Sequence, residues 1–141
     1  MTAAKKILII DDEPDAIEYL QAILEETDYQ TLTAGDGDEG LRKAQEERPD
    51  LILLDLMMPA KSGTRFLNEI KRDEALREIP IVVQSGARQV TGVDMQSYLE
   101  GQPFRDKKER ALGEDLDTRP QAFLEKPVSP SELLETIGRL I

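Results

Sequence analysis

The stretch Leu51-Ile52-Leu53-Leu54-Asp55 decides how this chain is read, because four consecutive aliphatic residues stop abruptly at a carboxylate. A run so short and so uniformly apolar fits a strand buried on both faces, as strands of a parallel sheet are. Ile7-Leu8-Ile9-Ile10 and Ile81-Val82-Val83-Gln84 have the same character, while Gln30-Thr31-Leu32-Thr33 and Ala122-Phe123-Leu124-Glu125 are more mixed. The three apolar runs therefore belong at the centre of a sheet and the two mixed runs toward its edges.

The runs are separated by helical periodicity. Ala16, Ile17, Leu20, Ile23 and Leu24 recur at helical spacing, with Pro14 near the start, where its missing N–H costs nothing. Further helices are expected around Leu41 and Ala44, and around Phe66, Leu67 and Ile70. A last helix carries Leu133, Leu134, Ile137 and Leu140 on one stripe, and Ser129, Pro130 and Glu132 predict a capping box at its start. Five β-α repeats give an α/β, doubly wound fold with helices on both sheet faces.

Composition narrows the function. At 141 residues the chain fits a single domain, 1–141. Acids outnumber bases 29 to 18, and a net charge of −11 argues against direct binding to a phosphate backbone. The chain has no cysteine, hence no disulfide framework and no thiolate chemistry. It has no histidine either, which excludes imidazole catalysis, His-ligated zinc and service as a phosphohistidine carrier. No apolar run approaches membrane-spanning length, and Met1 to Lys6 lead into a strand-like run without a signal-peptide core, so a soluble cytoplasmic protein is expected.

One connection breaks the rhythm. Residues 85–121 form a longer link than 11–29, 34–50 or 55–80, so residues 86–121 read as an extension inserted between the fourth and fifth strands. Tyr98, Leu99, Phe104 and Leu112 are scattered apolar anchors there, and the basic group Lys107, Lys108 and Arg110 is interrupted by acids, as on a solvated face. A modified output surface and a surface excursion without a partner are both compatible with this content.

The chemistry follows from where the polar residues fall. Asp11 and Asp12 end the first strand, Asp55 the third, Ser85 the fourth and Lys126 the fifth. In an open doubly wound sheet the carboxyl ends of the strands form the ligand crevice. Carboxylates gathered there repel one another unless a hard divalent cation neutralises them, and Mg²⁺ suits a few such oxygens together with water and phosphate. A lysine and a hydroxyl complete a cradle for phosphoryl oxygens, the set that phosphoryl transfer to a nucleophile requires. Each residue alone has an ordinary explanation: acids open helices, serine turns, and Phe123 is core by default. Their conjunction at successive strand ends is what those explanations do not supply.

Asp11-Asp12, Asp55-Leu56-Met57-Met58-Pro59 with Gly63, Ser85 and Lys126-Pro127 resemble the signature of response regulator receiver domains, over roughly residues 5–87 and 122–141. The resemblance implies a flavodoxin-like, CheY-like (βα)5 three-layer sandwich with five parallel strands in the order 2-1-3-4-5 and here an enlarged β4-β5 connection. It implies Asp55 as phosphoacceptor and Mg²⁺ (or Mn²⁺) as cofactor. Asp12 is then a direct ligand, Asp11 a supporting one through water, and the backbone carbonyl of Met57 another. Lys126, through a cis Lys126-Pro127 peptide, pairs with a phosphoryl oxygen; Ser85 responds to phosphorylation, and Phe123 takes the aromatic switch position. The donor is a histidine kinase or histidine phosphotransfer protein, and the output is a changed surface read by an unknown downstream protein, with a phosphorylation-dependent homodimer also compatible.

In the family, the positions of Met57 and Ala87 tune dephosphorylation, and neither side chain can orient a water, so a long-lived phosphoryl state is expected. Gly86 departs from the small residue with a Cβ that usually follows Ser85. The chain is thus expected to be a signalling switch rather than a conventional enzyme. The alternatives are a pseudo-receiver interaction scaffold, disfavoured because no core site position is missing, and an aspartate-nucleophile phosphohydrolase, which wants an acid where Met57 stands. DNA binding or catalysis on a second substrate is expected to come from another protein, and a stand-alone receiver and a fragment of a longer protein are equally compatible with the sequence.

Overall fold

The computed structural model describes residues 4–55, 62–85 and 121–141. In chain order the elements are β1 (Lys6–Ile10), α1 (Pro14–Glu25), β2 (Gln30–Ala34), α2 (Gly37–Glu47), β3 (Leu51–Asp55), α3 (Ser62–Arg72), β4 (Ile81–Ser85), β5 (Ala122–Glu125) and a C-terminal helix α4 (Pro130–Leu140). All four strand pairs are parallel and the order is β2-β1-β3-β4-β5. β1, β3 and β4 occupy the centre, as their apolar runs require.

Alternation along the strands sorts the core into two layers. Leu8, Ile10, Ile52, Leu54, Ile81 and Val83 face α2 and α3, meeting Ala44, Phe66, Leu67 and Ile70. Ile7, Ile9, Leu51, Leu53, Val82 and Leu124 face α1 and α4, meeting Leu20, Leu24, Leu133 and Ile137. Both faces are covered, so the central strands are apolar at nearly every position, while the edge strands β2 and β5 are mixed. The expected doubly wound CheY-like architecture is the observed one.

One helix start differs from what the sequence suggests, and another carries a cap that the sequence reading did not name. Ser129 is the N-cap of α4 and Pro130 follows it, but the serine makes no side-chain cap bond. Its Oγ lies 3.1 Å from Ser131 Oγ instead, a local hydroxyl partner that competes with the helix amides. The predicted capping box therefore does not form there. A side-chain cap occurs at α2, where Asp36 Oδ1 accepts from Glu39 N at 2.8 Å and Glu39 Oε2 accepts from Gly35 N at 3.1 Å. Of the expected extension, Gln121 is described and joins β4 as β5 begins, its N–H donating to Ile81 O at 2.9 Å and its Oε1 accepting from Ile81 N at 2.7 Å; residues 86–120 lie outside the described residues.

Candidate functional site

The site is built at the carboxyl ends of β1, β3 and β5. β1 ends at Ile10, and the next amide, Asp11 N, donates to Ala34 O at 3.1 Å, so the ladder to β2 holds one residue beyond the strand. Asp11 is 0% exposed. One of its oxygens, Oδ1, accepts from Glu13 N at 3.0 Å and turns the chain into α1; the other, Oδ2, accepts from Lys126 Nζ at 2.9 Å. Asp12 is exposed at the rim. Asp55 closes β3, is 4% exposed, and its Oδ2 lies 3.4 Å from Lys126 Nζ.

Lys126 thus bridges the ends of β1 and β3 from the residue after β5, and the Lys126-Pro127 peptide is cis. Burial alone would lower its pKa. The hydrogen bond to Asp11 and the charges of Asp55 and Asp11 outweigh that penalty and raise the pKa above the ordinary lysine value. The ammonium is therefore held firmly in its charged form.

Oxygens of Asp11, Asp12 and Asp55 lie within 4.8 Å of one another. Lys126 pairs with two of these three carboxylates, Asp11 and Asp55, so among the described residues an excess of negative charge remains around a buried acid. That donor set, all hard oxygens with one member at the rim, fits a divalent cation of the Mg²⁺ type.

The structure brings together Asp11, Asp12, Asp55 and Lys126. Phe123 is set apart on the opposite face of the sheet, paired in register with Val83 and packed against the layer under α2 and α3. Ser85 closes β4 opposite Glu125, although the direction of its hydroxyl lies outside the described residues. Met57 and Ala87 also lie outside them. One contact escaped the sequence: the Tyr19 hydroxyl donates to Val128 O at 2.7 Å and ties α1 to the loop after Lys126. Nothing in the spacing signals it, since Tyr19 falls off the apolar stripe of α1.

The family model for the response regulator receiver domain matches residues 7–100. The chain belongs to this family. Among curated relatives, the receiver is 31% identical over 134 residues to the phosphate regulon transcriptional regulatory protein PhoB of Escherichia coli, covering 95% of this chain and 50% of PhoB. It thus spans about half the length of that regulator. It is 29% identical to protein PilH of Pseudomonas aeruginosa, with 96% of this chain and 97% of PilH covered. Among solved structures, the chemotaxis protein CheY4 of Vibrio cholerae superposes with a TM-score of 0.74 at 26% identity, covering 99% of this receiver and 100% of CheY4. These alignments reach beyond residue 100 and take in β5, Lys126 and α4. No helix among the described residues is long and apolar enough to cross a membrane.

Proposed function

We propose that this receiver accepts a phosphoryl group on Asp55 from a histidine kinase or histidine phosphotransfer protein. The observation that carries the reading is the buried Asp55 carboxylate, held by Lys126 at 3.4 Å inside a cluster with Asp11 and Asp12. An Asp55 oxygen attacks the phosphorus of the partner's phosphohistidine; the new O–P bond forms as the P–N bond breaks and the imidazole departs. This chain has no histidine, so the donor imidazole is the partner's. Asp12, Asp55 and the Met57 carbonyl would hold Mg²⁺, with Asp11 supporting through water; Mn²⁺ offers the same coordination chemistry. Bound there, the ion neutralises charge that develops on the phosphoryl oxygens.

Lys126 keeps its proton and is free to follow a phosphoryl oxygen, exchanging one anionic partner for another. Ser85 and Phe123 are the residues through which the change is passed on: the first at the end of the central strand β4, the second on the far face of β5. The chain is a switch that catalyses its own phosphorylation and dephosphorylation, and its output is a surface for another protein.

Intact mass after incubation with acetyl phosphate and Mg²⁺ tests the reading. One added phosphoryl group is expected, absent from Asp55→Asn and from a metal-free control. A folded, magnesium-binding chain that acquires no adduct would turn the assignment to an interaction scaffold.

A further inference from the structure

Gln84 is the polar exception in the apolar run of β4. It is 2% exposed, and its amide nitrogen Nε2 is buried without a hydrogen-bond partner among the described residues. Residues paired in register project to the same face of a sheet, and Gln84 pairs with Asp55 on one side and with Leu124 on the other. It is therefore the neighbour of Asp55 in the top layer on the α1 side. On that face it lines a groove of about 420 Å³ together with Ala16, Tyr19, Leu20, Lys126 and Val128. Adjacent strands lie about 4.8 Å apart, a distance the three rotatable bonds of a glutamine span.

A buried amide donor without an acceptor destabilises the state that contains it, whereas an apolar residue of the same shape would not. In the unmodified protein Asp55, its register neighbour, is paired with Lys126 at 3.4 Å. A phosphoryl group on Asp55 would add strong acceptor oxygens beside the Gln84 amide. Resting on the phosphoacceptor reading above, we propose that Gln84 is a positioning residue whose amide lacks a partner before phosphorylation and gains one after it. The side chain thereby tilts the resting equilibrium toward the phosphorylated form. It does not touch the partner's histidine and takes no part in bond making.

The proposal predicts opposite signs for two measurements on the full chain. In Gln84→Met, which keeps the length and removes the donor, the melting temperature without ligand is expected to equal or exceed that of the wild type. The beryllofluoride concentration for half-saturation in Mg²⁺, followed by ¹⁹F NMR, is expected to rise about fivefold or more. Gln84→Leu repeats the test with a different shape. Half-saturation within about twofold of wild type in both variants overturns the proposal, and so does a loss of stability that accompanies the loss of affinity, which is the signature of a packing role. A wild-type chain that takes up no beryllofluoride overturns the phosphoacceptor reading and this inference with it; wild-type uptake with unchanged variants overturns this inference alone.

Discussion

Lys126 supports the fold and the site through the same two contacts, so its removal should be felt in both. In Lys126→Met, the fully buried Asp11 loses its 2.9 Å partner and Asp55 its 3.4 Å partner. Breaking a fully buried pair costs about 3–5 kcal/mol; Lys126 is only half-buried, and we expect about 2 kcal/mol at neutral pH in urea unfolding without divalent ions. The raised lysine pKa fixes the pH dependence. Its contribution is complete below the ordinary lysine value, about 10.4, and is lost as pH rises through the higher native value. The stability gap between wild type and Lys126→Met should therefore be flat from pH 7 to about 10 and shrink above that; a gap that closes below pH 9 would assign the effect to another group. Asp11, Asp12, Asp55 and Lys126 were legible in the sequence because each follows a strand-like run and so emerges at one end of the sheet. The sequence also shows a polar Gln84 in such a run, yet its isolation depends on what surrounds it, which spacing does not encode.

Strands were easier to locate than helix ends, for a physical reason. A strand buried on both faces shows as a short, nearly unbroken apolar run, whereas a cap depends on one rotamer, and at Ser129 a neighbouring hydroxyl takes the side chain away from the helix. Two helical glycines show how packing then divides residues that propensity treats alike. A Cβ on Gly40 of α2 would stand 2.5 Å from Ile10 Cδ1, and Ile10 is 0% exposed within the layer under α2 and α3. Close approach of α2 to β1 requires this glycine. Gly40→Ala should destabilise by about 1 kcal/mol, overpacking exceeding the helix-propensity gain. Gly138 of α4 has nothing within 4 Å of a built Cβ, so Gly138→Ala should stabilise by about 0.5–1 kcal/mol. Thermal melts of the two variants should move in opposite directions. Arg48, the C-cap of α2, has φ of 47°, and Arg48→Gly should relieve the left-handed strain by about 0.5–1 kcal/mol; an unchanged melting temperature would show that the arginine's own contacts offset it.

The whole molecule carries −11 charges and gathers three acids at one end of its sheet, so cations should act on it in two separable ways. Diffuse screening by any salt eases repulsion across the entire surface and depends on ionic strength alone. An ion held by Asp11, Asp12 and Asp55 binds the folded state only, because the unfolded chain scatters ligands drawn from β1 and β3. The order β2-β1-β3 makes β1 and β3 neighbours, and that adjacency, which the central placement of the apolar runs and the receiver resemblance pointed to, converts two distant sequence motifs into one site. What stayed illegible is the role of residues 86–121, since a regular helix alone does not explain their mixed composition. The two cation effects separate at matched ionic strength. Mg²⁺ at ten times its dissociation constant should stabilise the protein by about 1.4 kcal/mol over NaCl, raising the melting temperature by about 4 °C. Asp12→Asn, which removes an exposed carboxylate of the cluster and breaks no hydrogen bond or ion pair among the described residues, should abolish most of that increment while leaving the NaCl response intact. Equal increments in wild type and Asp12→Asn would mean that magnesium acts on the acidic surface at large and that the cluster does not bind it.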